Sequence, residues 1–223
     1  MTHNTVSSTA RVLGAGLRAL LVLTLVCGVV YPLAVTGVAQ ALFADKANGS
    51  EIEDAGGQVV GSSLIGQRYD LPLKKGEESP APDLRWFQPR PSNGLGTNGV
   101  NTRYSLILSG ATNRSGDDKE LVQWVRDAKA AVVKDNSTAA YQVDPADVPA
   151  DAVTSSGSGL DPDISPAYAK LQAHRVAEKN DLDLAQVEDL IAGHTTGRLL
   201  GFIGEPRVNV LELNTALRDL IRA

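Results

Sequence analysis

Cysteine and histidine are almost absent from this chain of 223 residues. The single cysteine, Cys27, lies in an apolar segment near the N-terminus, so the polar remainder has to be stabilised by packing rather than by disulfides. The three histidines are His3, His174 and His194. His3 stands on the far side of the apolar segment, which excludes a three-histidine zinc site. The spacing favours His174 and His194 as a helix-surface and a helix-end residue rather than as ligands.

Motifs of nucleotide hydrolysis and of serine catalysis are also missing. No Gly-Lys-Ser or Gly-Lys-Thr occurs, which excludes a P-loop. Ser158 stands between two glycines, but in a turn-rich stretch without a strand-to-helix elbow. Asp161 and Asp163 form a D-x-D pair that is compatible with a divalent cation or with paired carboxylates. The closing glutamate of a calcium loop is absent, and a turn-forming Asp-Pro explains the same residues.

Charge is absent from one long segment. Residues 19–44 contain no charged side chain, and no acidic residue occurs before Asp45. As a helix rising about 1.5 Å per residue, this segment would be ~39 Å long, against the ~30 Å of hydrocarbon in a bilayer. The sequence therefore predicts one membrane-spanning anchor.

The flanking charges predict the orientation of this anchor. Arg11 and Arg18 precede it and acidic residues follow it, so the N-terminus is predicted in the cytoplasm and the rest outside. Residues 39–41 have the small-x-small form of a signal peptidase site, which leaves a cleaved signal peptide as the alternative. An apolar core of 20 residues from Ala19 to Val38 exceeds the usual ~7–15 and favours retention. Within the span, Pro32 predicts a kink.

Two regions are predicted: residues 1–44 as tail and anchor, and residues 45–223 as one soluble domain. The second region holds 19 basic against 26 acidic residues, a net charge of −7, which excludes a nucleic-acid binder. Its length is sufficient for a single hydrophobic core.

Local patterns predict an α+β domain. Strands are expected at residues 58–62 and 64–67 with a bulge or turn between them, at residues 104–108, and as a short buried strand within residues 148–154. Residues 71–99 are expected to form a loop that docks through Trp86 and Phe87. Apolar residues at helical spacing predict four helices. Their expected starts are Asp117 or Asp118, Ser165 with a helix to about Lys179, Asp183 with a helix to about Gly193, and Asn209.

The segment Gly201-Phe202-Ile203-Gly204-Glu205-Pro206-Arg207-Val208-Asn209 is a stiff loop that presents polar groups in fixed positions. Glu205 and Arg207 are expected to pair with each other or with a partner protein, and internal pairing is favoured.

Several strings spread over nearly the whole chain resemble one protein family, the C subunits of the Kdp potassium-transporting ATPases, which also begin with one membrane span. The strings are residues 61–67, 90–92, 109–113, 148–154, 158–166, 175–177, 194–198, 200–211 and 213–214. Two positions depart from the family: it usually has histidine where Asp163 stands, and residues 114–118 replace a segment that usually reads L-G-P-T-N.

The resemblance implies a non-catalytic subunit of a four-part pump. The partners it implies are a potassium-channel-like subunit, a P-type ATPase subunit and a small single-span subunit. The family is described as a catalytic chaperone that raises the ATP affinity of the ATPase subunit. Bound ATP is thus implied at that partner subunit, because the predicted topology places this domain on the other side of the membrane. No metal and no catalytic residue are expected in this chain.

The candidate interaction surface follows the strings that carry the resemblance. Its residues are Arg90, Ser109, Asn113, Asp161, Glu205, Arg207 and Asn209. The alternative is an envelope-anchored hydrolase or ligand-binding module, which would require a deep pocket lined by Asp161, Glu205 and Arg207.

Overall fold

The computed structural model describes residues 3–76, 80–92, 109–110 and 113–222, with side chains from residue 8 onward. The chain divides into two compact units, Met1–Ser50 and Glu51–Ala223. The predicted strand at residues 104–108 lies outside the described residues.

The first unit is a long apolar helix. It comprises α1 (His3–Leu25), a π-helical turn (Val26–Val30) and α2 (Tyr31–Leu42), followed by the short α3 (Ala44–Ala47). Ser8–Leu42 is long and apolar enough to cross a membrane. The irregularity that Pro32 introduces takes the form of the π turn, in which the Tyr31 N–H donates to the Val26 carbonyl. Proline has no N–H for the carbonyl one turn earlier, and a widened turn lets later donors reach the freed carbonyls.

All four predicted helices of the second unit are present. They are α4 (Lys119–Asn136), α5 (Pro166–Lys179), α6 (Leu184–Gly193) and α7 (Val210–Arg222). The Asp118 side chain caps α4 by accepting from the backbone N–H groups of residues 120 and 121, and Ser165 Oγ accepts from Tyr168 N at 3.0 Å. Asn209 Oδ1 accepts from two N–H groups at the start of α7, at 3.1 Å each. These caps satisfy donors that a helix leaves unpaired, so the starts follow from the sequence.

In the described part of the chain the strands are short and form two separate sheets. Strands β1 (Glu51–Glu53) and β2 (Val59–Ser62) form an antiparallel pair. In the second sheet β5 (Arg207–Asn209) lies between β3 (Asp163–Ile164) and β4 (Thr195–Thr196), antiparallel to both. The mixed helix and strand content confirms the predicted α+β class.

The core forms where α5 packs against α6 and α7 packs against α6 and β5. Phe87 is fully buried in this core and Trp86 packs against it, as the docking role of the aromatic pair predicts. The core also holds Val176, Val187, Val208, Leu213 and Leu217, all fully buried.

Buried polar side chains attach the loop around Phe87 to two helices. Asn214 binds both the N–H and the carbonyl of Phe87, at 2.9 Å each, and Gln172 does the same for Gln88, at 2.7 and 3.1 Å. Arg175 donates to the carbonyls of Leu84 and Trp86. The loop is therefore ordered just before Arg90, although it has no regular secondary structure.

Two strand predictions are wrong. Residues 148–154 contain a 3₁₀ turn, Ala150–Ala152, in which Ala152 N donates to the Pro149 carbonyl at 3.1 Å. The turn expected after residue 62 extends over residues 63–65, and no strand follows at 64–67; Gly66 N donates instead to the Leu160 carbonyl, at 2.8 Å, in the loop before β3. Both segments form turns, and a short apolar run does not by itself distinguish a turn from a strand.

Candidate interaction surface

An open depression of about 540 Å³ lies where the family strings converge in the second unit. It is lined by the 150–154 turn, β3, the start of α5 and the strand β5, together with Arg90. Of the residues predicted from the sequence, Arg90, Asp161, Glu205 and Arg207 line it. We call this feature the charged depression.

Arg90 connects two loops at one end of the charged depression. Its Nη1 donates to Asp161 Oδ2 at 2.9 Å, and its other nitrogens reach the carbonyls of Thr154 and Ser155 at 3.4 Å. Asp161 Oδ1 in turn accepts from Asp163 N at 3.0 Å. Both charged side chains are mostly buried, so this ion pair fixes the loop before β3 more firmly than a solvated pair would.

Arg207 and Asp163 pair across the sheet, with Nε and Oδ2 3.0 Å apart. The register explains the pair, because Asp163 lies opposite Asn209 and is therefore the diagonal neighbour of Arg207. Burial nevertheless raises the pKa of Asp163 above its ordinary value, since desolvation outweighs the attraction of Arg207.

The expected pair between Glu205 and Arg207 is not formed. Glu205 instead accepts from Arg198 at 2.7 Å, and Arg207 turns to Asp163. Arg198 and Glu205 flank the segment in which Leu199 and Ile203 bridge antiparallel, so the hairpin brings them face to face. Both residues thus pair within the chain, as favoured, but Glu205 pairs with Arg198 and Arg207 with Asp163 rather than with each other.

The remaining predicted residues lie around this centre. Ser109 Oγ donates to the Ser158 carbonyl at 3.1 Å, at the loop that precedes Asp161. Asn209 caps α7 and also donates to the Ser63 carbonyl at 2.9 Å, which makes it a structural connection. Asn113 is exposed with a positive φ of 50°, and among the described residues no hydrogen bond joins it to the others.

Sequence reasoning missed two residues of the surface. Asp151 lines the charged depression and accepts from both the N–H and the Oγ of Ser165, at 2.7 and 2.9 Å. Arg198 is the partner of Glu205. Both residues belong to strings that carry the family resemblance, and that resemblance was the one sequence signal for them. Their contacts could not be read from local spacing, because the partners are 14 and 7 residues away along the chain.

The arrangement does not resemble a catalytic site. Both arginines of the charged depression are paired with carboxylates, and the depression is open rather than an enclosed pocket. His174 stacks on Tyr141 at 3.8 Å, and His194 Nδ1 contacts the Leu190 carbonyl at 2.8 Å. Within the described ranges, no group of three or more His, Cys, Asp or Glu residues could hold a metal ion. The geometry is that of a pre-ordered polar surface.

Comparison with known proteins finds the same family over nearly the whole length of this chain. The family described as "KdpC: K+-transporting ATPase, c chain" matches residues 13–219. The chain is 74% identical over 219 residues to the potassium-transporting ATPase KdpC subunit of Streptomyces avermitilis, covering 98% of both chains. It is 71% identical to the KdpC subunit of Streptomyces coelicolor, covering 98% of this chain and 97% of that one. The KdpC subunit of Gemmatimonas aurantiaca is 45% identical over 208 residues, with 92% of each chain covered.

The matched residues include most of the apolar helix, the loops around the charged depression and most of the helix α7. At these identities and coverages the assignment applies to the chain as a whole and not to one segment. The chain therefore belongs to the KdpC family, the non-catalytic accessory C subunits of the potassium-transporting Kdp ATPases.

Proposed function

We propose that this subunit is held by its N-terminal helix with the N-terminus in the cytoplasm and the Glu51–Ala223 unit outside. There it is required for assembly and activity of a high-affinity, ATP-driven potassium uptake pump. The observation that carries the proposal is the charged depression: the family strings converge on an ordered surface whose two arginines are already paired with carboxylates. Such a surface is suited to binding another protein rather than to catalysis.

The orientation is supported by the charges that flank the membrane helix. Arg11 and Arg18 precede its apolar part, and no acid occurs before Asp45. Basic residues near the ends of a span remain on the cytoplasmic side. The acidic unit, with its net charge of −7, then lies on the side from which potassium enters.

The partner proposed for the outer unit is the potassium-channel-like subunit. The unit would dock over that subunit's entrance and hold the complex together, while the membrane helix packs against the same subunit. The P-type ATPase subunit and the small single-span subunit complete the assembly. Membership of the family implies other Kdp subunits, and these specific contacts are the proposal.

Direct contact of the outer unit with ATP is not part of the proposal, because the residues do not fit a triphosphate. The charged depression is lined by two arginines against four acids, Asp151, Asp161, Asp163 and Glu205, and both arginines are paired. A triphosphate would displace those pairs and meet the remaining carboxylates. Any effect on ATP affinity then passes through the membrane part as a coupling free energy between distant sites.

The direct test is removal of the outer unit. A variant that lacks residues 45–223 but keeps the anchor should lose high-affinity potassium uptake in cells that express the other subunits. The full chain is the matched control, and membrane levels of the anchor are checked with an N-terminal tag. Uptake that stays at the level of the full chain would refute the proposal.

Orientation and nucleotide binding have separate tests. Protease added to intact spheroplasts should digest the outer unit, and protease added to inverted vesicles should not. For the nucleotide, the complete pump with this subunit should bind ATP more tightly than the pump without it. The full chain alone should not bind ATP, and tight binding by the chain alone would contradict the proposed coupling.

A further inference from the structure

The segment between β4 and β5 forms a hairpin, and the tip of this hairpin, residues 199–203, is apolar and exposed. Leu199, Leu200, Phe202 and Ile203 are 67%, 77%, 74% and 48% exposed. Over the described part of the second unit, the next densest exposed group is the pair Leu71 and Leu73. Single exposed apolar residues are ordinary, but a cluster of this kind marks a site of interaction.

The hairpin tip has a fixed shape. Leu199 and Ile203 exchange both backbone hydrogen bonds, at 2.9 and 3.0 Å. Within the loop that this pair closes, Phe202 N also donates to the Leu199 carbonyl at 3.3 Å, and the two residues between them, Leu200 and Gly201, are in the left-handed region with φ of 54° and 82°. Such turns normally carry Asn, Asp or Gly at the first of these positions. Leucine is strained there, and its side chain is nevertheless presented to solvent.

The charges beside the hairpin tip are neutralised within the chain. Arg198 pairs with Glu205 at 2.7 Å, and Arg207 pairs with Asp163 at 3.0 Å. Neither cation is left to attract an anionic lipid surface, and the acidic unit as a whole would be repelled by one. An ordered shape with compensated charge instead fits an apolar pocket in a folded protein, where complementarity of shape determines affinity.

We propose that the hairpin tip is the apolar anchor by which the outer unit binds the potassium-channel-like subunit, inserting Leu200 and Phe202 into an apolar pocket on that subunit's outer face. This inference rests on the proposed function and adds the residues that supply the affinity. The charged depression lies beside the anchor and shares Glu205 and Arg207 with its base. It forms the polar rim of the same interface. An apolar centre with a polar rim is the usual anatomy of a protein interface.

The test uses full-length chains titrated in detergent against the pump purified without this subunit. Leu200→Asn removes the apolar side chain but keeps a residue that tolerates a left-handed backbone, and Phe202→Ser truncates the second anchor. Each should weaken association about thirtyfold, the effect typical of an interface hot spot. Leu73→Asn is the matched control, since Leu73 is 59% exposed elsewhere on the unit, and its affinity should stay within about twofold of wild type.

Unchanged association of both tip variants overturns the inference while leaving the proposed function intact; failure of the wild-type chain to bind the pump overturns the proposed function itself. Denaturation midpoints equal to wild type show that the tip variants are folded.

Two other occupants of the hairpin tip, lipid and a second copy of the chain, are tested separately. The test for lipid uses a dye attached to Phe202→Cys in a Cys27→Ser background. A spectral shift in liposomes with this chain alone would mean that lipid covers the tip. A dimer of wild-type chains that the tip variants lose would mean that a second copy does.

Discussion

Replacing Arg175 by methionine should destabilise the second unit strongly, because this buried cation forms no salt bridge with any described residue and is held by neutral acceptors. Arg175 is 2% exposed. Its nitrogens donate to Asn136 Oδ1 at 2.8 Å, to Gln172 Oε1 at 2.7 Å and to the Trp86 carbonyl at 3.0 Å, as well as to the Leu84 carbonyl. Burial lowers the pKa of Arg175 to about 10, so the group stays charged at neutral pH.

The size of the effect follows from these contacts. A hydrogen bond to a charged group contributes about 1.5–3 kcal/mol, and four such bonds are lost in Arg175→Met. Desolvation of the guanidinium costs several kcal/mol, which methionine no longer incurs. Because Asn136 Oδ1 and the Leu84 carbonyl lose their donor, whereas Gln172 Oε1 keeps the Gln88 N–H, we expect a net loss of about 3–5 kcal/mol in the free energy of unfolding. For a unit of this size that corresponds to a melting temperature lower by roughly 6–20 °C.

The measurement is chemical denaturation of the full chain in detergent, followed by tryptophan fluorescence. Trp86 is a suitable reporter because its carbonyl is one of the lost contacts. Arg126→Met is the matched control: Arg126 is exposed on α4, and no salt bridge involves it among the described residues. If Arg175→Met costs less than about 1 kcal/mol, no more than a typical exposed site, the network does not hold the loop that leads to Arg90.

Two further substitutions test the surface itself. In Gly66→Ala the new Cβ would lie 2.5 Å from the Asp161 carbonyl oxygen, so potassium uptake and thermal stability should both fall, whereas Gly116→Ala, with open space around it, should leave both unchanged. Burial raises the pKa of Asp163, so the folded state binds the Asp163 proton more tightly than the unfolded chain does. The free energy of unfolding should therefore fall as the pH rises from about the ordinary pKa of 3.8 to the higher pKa of the folded state. Asp163→Asn should remove this loss from the pH profile of unfolding even though Arg207 loses its partner, and a profile with the wild-type slope would contradict the raised pKa.

The elements that were predictable from sequence are those whose signal is local. Each helix start carries its own capping residue, such as Asp118, Ser165 or Asn209, whose side chain bonds to N–H groups only two or three residues ahead. The membrane helix is equally local, since an uncharged run of sufficient length is itself the signal.

The elements that were not predictable depend on distant partners. The apolar run at residues 148–154 has the composition of a strand, but it pairs with none of the strands that the described ranges contain. Its Asp151 bonds to Ser165 instead, 14 residues ahead. Arg175 gave no sign of its buried role, because the carbonyls that hold it are 89 and 91 residues away. The pairing of Glu205 with Arg198 likewise required the hairpin between them.

Ion pairs and apolar area are expected to contribute differently to association with the pump. Ion pairs such as Arg90 with Asp161 already satisfy the charged depression from within the chain, so a partner would gain little Coulomb energy there. If the hairpin tip supplies the affinity, association with the pump should change less than about threefold between 50 and 500 mM salt, because burial of Leu200 and Phe202 is not screened. If the internal pairs open and reform across the interface, association should weaken tenfold or more over this range, with a slower on-rate. The measured salt dependence of the dissociation constant thus decides between an apolar anchor and an exchange of ion pairs.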